Sequence, residues 1–375
     1  MVDRMMQTPA QAVVDLSAIR HNITLLRREA AGAQLMAVVK ADAYGHGMVP
    51  CAVAALEAGA DWLGVVQAAE ALRLRRAGIT APVLCMMAVP GEPYEDVIKA
   101  GVDVSAGNTA LVEEIGRAAV QAGRPARLHL KVDTGLARGG APASEWPAVV
   151  EAALAGQAAG YLEIIGLWSH FACADEPGHP SIRGQLDAFT EALDQAEKAG
   201  ARPQVRHIAN TAAALTLPGA KFDLIRPGGA VYGLSTLPGG APPPFRPAMT
   251  LQTKVAQVKR VPPGTGVSYG HRHVTAAAAL LGLVPLGYAD GVPRSAVGRA
   301  LVQARSRRRT IAGTVCMDQF VVDFGGDPVS AGEAVILFGP GDNGEPTAQE
   351  WADTLGTISY EIVTKIGNRV PRVYP

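Results

Sequence analysis

Short runs of Val, Ile and Leu recur through the first ~235 residues, at 36–39, 63–66, 83–86, 102–104, 128–132, 164–168, 205–208 and 224–226. Ala-rich stretches of helical period lie between most of them, as at 50–58 and 70–77. Runs this short and this uniformly apolar suit strands buried on both faces, as in a parallel sheet. Eight strand–helix units in this length predict an α/β fold, a (β/α)8 TIM barrel, although a doubly wound sheet has the same alternation. Ahead of the first run, Ile19, Ile23 and Leu26 mark one face of a helix over 17–31. Before that helix, Ala12-Val13-Val14-Asp15-Leu16 reads as a strand outside the eight.

The pattern changes near 237–247. Leu237-Pro238-Gly239-Gly240-Ala241-Pro242-Pro243-Pro244 has few backbone donors and no period, which is the composition of a linker. Beyond it, Val255, Val258, Val261, Val267, Ile311, Val315 and Val321-Val322 fall in short runs between Gly and Pro turns. That spacing predicts a C-terminal all-β domain of about 130 residues. The expected division is 1–240 for the barrel and 241–375 for the β domain, with 1–16 available to pair with the latter. Arg305-Ser306-Arg307-Arg308-Arg309 is expected to be a solvated hairpin.

Composition narrows the function. Lys plus Arg equals Asp plus Glu at 34 each, so there is no basic excess of the kind a nucleic-acid or anionic-membrane partner requires. Four cysteines without CxxC or CxxxC spacing predict neither a metal site nor a disulfide framework. The most apolar stretch, 276–289, contains Pro285 and is too short to span a bilayer. The N-terminal residues lack a basic region followed by an apolar core. The expectation is a soluble, cytoplasmic protein.

Lys40 ends the first apolar run, in Val38-Val39-Lys40-Ala41-Asp42-Ala43-Tyr44-Gly45-His46-Gly47. A lysine there stands at the barrel face where active sites form. Partial desolvation lowers an amine's pKa and favours Schiff-base chemistry. A lysine snorkelling from a strand end is the plainer alternative.

These ten residues resemble the pyridoxal-phosphate lysine motif of alanine racemases. Further blocks match in order: Lys131-Val132-Asp133-Thr134-Gly135, His170-Phe171-Ala172 with Ala174-Asp175-Glu176, and Arg226-Pro227-Gly228. The second half adds Val267-Ser268-Tyr269-Gly270, Gly287-Tyr288-Ala289-Asp290-Gly291 and Cys316-Met317-Asp318-Gln319. Tyr360-Glu361-Ile362 and Arg369-Val370-Pro371-Arg372 complete the set, which spans both predicted domains.

The resemblance implies a pyridoxal 5'-phosphate enzyme that interconverts L- and D-alanine, supplying D-alanine for peptidoglycan. It also implies a head-to-tail homodimer whose active sites draw on both chains. Two catalytic bases on opposite faces of Cα are implied: Lys40 for D-alanine and Tyr269, from the partner chain, for L-alanine. Tyrosine ordinarily ionises near pH ~10, so such a base needs help; the resemblance gives that role to His170 and Arg226. Arg226 is further implied at the pyridine nitrogen. Tyr44, Asn210, Thr211, Gly228, Gly229 and Tyr360 are implied at the phosphate, although relatives commonly have serine at Thr211 and a larger apolar residue at Gly229. Arg138 is implied at the cofactor phenolate and substrate carboxylate, braced by Lys131, whose family counterpart is often carbamylated. Met317 would offer its backbone N–H to the carboxylate, and Asp318 is expected to be a structural cap.

Tyr288, Tyr360, Asp175, Arg294 and Ile358 match the substrate corridor, whereas Thr314 stands where many relatives have arginine. Alternatives on the same architecture are a broad-specificity or serine racemase, or a decarboxylase, which would need a carboxylate where Arg226 stands. A non-catalytic cofactor carrier would lack the β domain and Tyr269.

Overall fold

The computed structural model describes residues 10–234, 237 and 245–375. Eight parallel strands each coincide with a predicted apolar run: Gln34–Val38, Trp62–Val65, Val83–Cys85, Asp103–Ala106, Ala126–Lys131, Leu162–Trp168, Val205–His207 and Leu224–Ile225. They pair in chain order, and the last returns to the first through Gln34↔Leu224 and Leu35↔Ile225. The seam between Val205–His207 and Leu224–Ile225 is bridged by Asp223 N–H to Arg206 O at 3.1 Å and Arg226 N–H to Ala209 O at 2.9 Å. Arg206 also grips Asp223 through two hydrogen bonds. This closure selects the barrel over the open, doubly wound sheet. Met36, Trp62, Leu84, Ile165, Val205 and Leu224 pack against one another as a separate buried cluster inside the ring.

The leading helix, Leu16–Glu29, is capped by Asp15, whose carboxylate accepts the Ser17 and Ala18 N–H groups. Its predicted face, Ile19, Ile23 and Leu26, is fully buried. The strand before it, Gln11–Val14, pairs antiparallel with Met249–Lys254 and parallel with Arg372–Val373. It belongs to the nine-stranded sheet of the second half.

That second half is mainly β rather than all-β. Helices Ala348–Leu355 and Ser359–Thr364 interrupt it. The first is announced by a capping box, in which Thr347 and Glu350 exchange side-chain-to-backbone bonds. The expected linker falls largely outside the described residues. The arginine run does form a hairpin, between Leu301–Ala304 and Arg307–Ala312. Arg305, Arg307, Arg308 and Arg309 pair with Glu333, Asp327, Glu350 and Asp327 in turn, which leaves no free basic patch there. Among the described residues no helix is long and apolar enough to cross a membrane.

The feature that positions the site is the chain reversal after Lys40. Ala41, Asp42, Ala43 and Tyr44 all lie in the left-handed region, at φ of 52°, 52°, 57° and 54°. Internal bonds hold the turn, from Ala43 N–H to Val39 O, Gly45 N–H to Ala41 O and Gly47 N–H to Asp42 O. Outside groups clamp it. Glu70 accepts the Ala41 N–H at 2.6 Å, and Asp42 accepts from Met48 N–H and Arg73. Tyr232 donates to Val38 O, Arg372 to Gly45 O and Tyr374 to His46 O.

His46 sits beneath the turn, its ring stacked on Tyr232 with centroids 4.7 Å apart. Its Nδ1 faces the Ala43 and Tyr44 carbonyls, both at 3.0 Å. Carbonyls only accept, so Nδ1 carries the proton and Nε2 does not. Nε2 is buried without a hydrogen-bond partner among the described residues. Burial pushes the imidazole down to about 4 from 6.5. In the unfolded chain it protonates below 6.5, while the fold resists protonation until about 4. Stability should therefore fall as pH drops from 6.5 to 4, by roughly 3 kcal/mol from this group. Urea unfolding at stepped pH should show that loss, and His46→Asn should remove it; an unchanged slope in the variant would contradict the assignment.

Candidate active site

The C-terminal ends of the barrel strands gather most of the predicted residues. Lys40 stands one residue beyond Gln34–Val38, after Val39. Burial lowers its amine below the ordinary lysine value; Arg138 and Arg226 add to this, and Glu70 opposes it. Lys131 ends Ala126–Lys131, and burial, with Arg138 and Arg226 nearby, brings it to about 8. Its Nζ lies over the Trp168 ring at 4.6 Å, and the Arg226 guanidinium stands 4.8 Å from the same ring. Arg138 follows a tight loop in which one Asp133 oxygen collects the Gly135, Leu136 and Ala137 N–H groups.

Arg226 is buried, and burial draws it down to about 9, still a cation at neutral pH. Its guanidinium donates to Ser169 O, Ile208 O, His170 Nδ1 and His207 Nδ1. Burial and the arginine charge hold both imidazoles well below the usual histidine range, so both are neutral. Because a guanidinium only donates, both Nδ1 atoms accept and both protons reside on Nε2. His207 Nε2–H then donates to His129 Nδ1 at 3.0 Å, and His129 Nε2–H to Asp103 at 3.2 Å. Arg127 caps the far end by pairing with Asp103 at 2.7 Å. The sequence reading missed this column. Its only signals were a histidine inside each of two apolar runs and Asp103 inside a third.

A second group forms a glycine-lined cradle. A Cβ at Gly228 would meet the Tyr44 hydroxyl at 2.3 Å, and one at Gly229 would meet the Tyr360 hydroxyl at 2.0 Å. The Tyr44 and Tyr360 rings meet edge-on at 5.4 Å. Thr211 accepts the Gly228 N–H at 2.9 Å, and Asn210 caps the helix Thr211–Thr216. Two phenols thus converge on backbone that has no side chain to block a ligand.

The remaining candidates lie elsewhere in the chain. Tyr269, Tyr288, Arg294, Met317 and Asp318 line an open cavity of about 620 Å³ in the second half. Neither Asp175 nor Ile358 lines it, and among the described residues no barrel residue does. Tyr269 is 73% exposed, and no hydrogen bond joins it to His170 or Arg226 within the chain. Asp318 forms an ion pair with Arg369, which also reaches Asp290, rather than a helix cap. Among the described residues no cluster of His, Cys, Asp or Glu could hold a metal, and all four cysteines are free.

The proton positions along the column can be read directly. Nitrogen-15 NMR of labelled histidine should find His207 neutral, protonated on Nε2, from about pH 6 to 8. A titrating or Nδ1-protonated His207 would break the direction deduced from Arg226.

The geometry agrees with known proteins. The family model described as alanine racemase, N-terminal domain, matches residues 14–236, and that for the C-terminal domain matches 248–374. An alanine racemase of Thermobifida fusca is 60% identical over 98% of this chain and 99% of its own. The crystal structure of alanine racemase from D-cycloserine-producing Streptomyces lavendulae superposes with a TM-score of 0.97 at 53% identity, covering 99% of this chain and 98% of that one. That of Streptomyces coelicolor superposes at 0.95 with 55% identity, covering 98% of each. The barrel with its lysine-headed turn and the mainly β second half together place the chain in the alanine racemase family.

Proposed function

We propose that the chain racemises alanine, with pyridoxal phosphate held at the barrel mouth and each site completed by Tyr269 of a second copy. The family is pyridoxal-phosphate-dependent, and the residues present fit that group. The observation that carries the reading is the setting of Lys40, a partly buried amine of lowered pKa on a rigid turn that also presents Tyr44 to the glycine cradle. When bound, the cofactor draws electron density from Cα and loosens the α-proton.

The protein's own residues divide the remaining work. Lys40 anchors the cofactor, and Tyr44, Asn210, Thr211, Gly228, Gly229 and Tyr360 hold its phosphate. Arg226 would face the pyridine nitrogen when the cofactor is bound; as a donor that keeps its own proton, it would leave that nitrogen unprotonated. Arg138, the Met317 N–H and Tyr288 orient the substrate. Lys131, with an amine near 8, keeps enough neutral form at working pH to add CO2, release one N–H proton to solvent and brace Arg138 as an anionic carbamate. Lys40 moves the proton on the D-alanine face and Tyr269 on the L-alanine face. His170, with Nδ1 committed to Arg226, has Nε2–H left for the Tyr269 oxygen.

The 73% exposure of Tyr269 and the lack of barrel residues in its cavity support a homodimer that brings the two halves together. We also place the domain division at 240/241, between the two family matches.

Two outcomes test this. Gly228→Ala should weaken pyridoxal-phosphate binding at least about tenfold in an absorbance titration, because its Cβ enters the space of the Tyr44 hydroxyl. Unchanged affinity would remove the cradle from the site. Tyr269→Phe should retain the cofactor yet lose racemisation by roughly 10²–10⁴-fold. Deuterium wash-in from L-alanine should fall far more than from D-alanine; equal loss would favour Lys40 as the base for both faces.

A further inference from the structure

Tyr269 projects into solvent from a stretch of unusual backbone. Ser268 has φ 59° and ψ −170°, a region that L-residues rarely occupy. Gly270 and His271 follow at φ 71° and 43°. Because Tyr269 is 73% exposed, packing within its own chain does little to fix the direction of its side chain. The direction must come from the backbone, and the backbone has one conspicuous restraint.

The Ser268 hydroxyl donates to Thr314 O at 2.7 Å, and the Thr314 hydroxyl donates to Tyr269 O, also at 2.7 Å. The two segments thus exchange bonds across their contact, one in each direction. Thr314 is only 5% exposed, so solvent competes little for these bonds. The segments touch at backbone level, since a Cβ at Gly313 would meet Val267 O at 2.5 Å. Gly313 itself has φ 72°. Neither segment can slide without breaking both hydroxyl bonds.

We propose that Thr314 is a positioning residue for Tyr269, its hydroxyl holding the strained Ser268–Tyr269 backbone so that the phenol keeps one direction. The inference rests on Tyr269 serving the L-alanine face. The hydroxyl, not the bulk, is what the geometry uses. Valine has threonine's shape and lacks the donor, while serine keeps the donor and lacks the methyl.

The test is deuterium wash-in to L- and D-alanine, measured separately on the cofactor-loaded full chain. Thr314→Val should slow exchange from L-alanine by roughly 10- to 10²-fold, with exchange from D-alanine within about twofold of the parent. Thr314→Ser should restore the L-alanine rate. Equal effects on both enantiomers, no effect, or failure of serine to rescue would overturn the proposal. Should Thr314→Val not fold, Ser268→Ala removes the other bond and must give the same one-sided loss; its absence is equally fatal. Tyr269→Phe in the same assay separates the two claims. If it shows no enantiomer bias, the base assignment fails. If it shows the bias and Thr314→Val does not, only the role of Thr314 fails.

Discussion

Four consecutive L-residues in the left-handed region, Ala41 to Tyr44, stand between Lys40 and the helix Met48–Glu57. Each costs about 1–2 kcal/mol relative to ordinary backbone. The turn persists because surrounding structure over-determines it. Glu70, Tyr232, His46, Arg372 and Tyr374 all bond to its backbone or to its flanks. Arg372 and Tyr374 come from the far end of the sequence, so the second half of the chain shapes the lysine of the first. The return is geometric: the amine of Lys40 and the phenol of Tyr44 are delivered from one short rigid segment.

Arg226 sets the electrostatics of the same mouth. It is a buried cation whose four hydrogen bonds among the described residues all end on neutral acceptors, two carbonyls and two imidazoles. The nearest carboxylate on its hydrogen-bond path is Asp103, two imidazoles away. Burial, with this uncompensated charge and that of Arg138 adding to it, lowers Lys40, Lys131 and His170 together. A site with several lowered bases suits proton removal near neutral pH. It also attracts an anionic ligand, as a phosphate or a carboxylate would be.

Much of the fold was legible in the chain. Each apolar run became a barrel strand, because a strand buried on both faces must be apolar throughout. The face of Leu16–Glu29 followed from simple helical period. The short helices at 348–364 were missed although Thr347 and Glu350 carried a capping signal. The left-handed turn left no local trace, since Ala41, Asp42 and Ala43 are ordinary helix or turn residues and many of the groups that clamp them, Glu70, Arg73, Tyr232, Arg372 and Tyr374, are distant in sequence. The column of His129, His207 and Asp103 was likewise hidden, as its members come from three different strands. Physical reading of residues alone singled out Lys40; the other candidates came from motif resemblance. The bond from Thr314 to Tyr269 needed coordinates, because nothing in a threonine's neighbours says which carbonyl it will meet.

The account's central claim is that Lys40 and Tyr269 of one chain serve different sites. Mixing Lys40→Ala and Tyr269→Phe chains under conditions where subunits exchange tests it most directly. Each variant alone should be nearly inactive. Hybrid dimers hold one site with both bases and one with neither, so a fully randomised equal mixture should recover about a quarter of wild-type racemase activity. No recovery, with exchange demonstrated independently, would place both bases in a single chain and contradict the account.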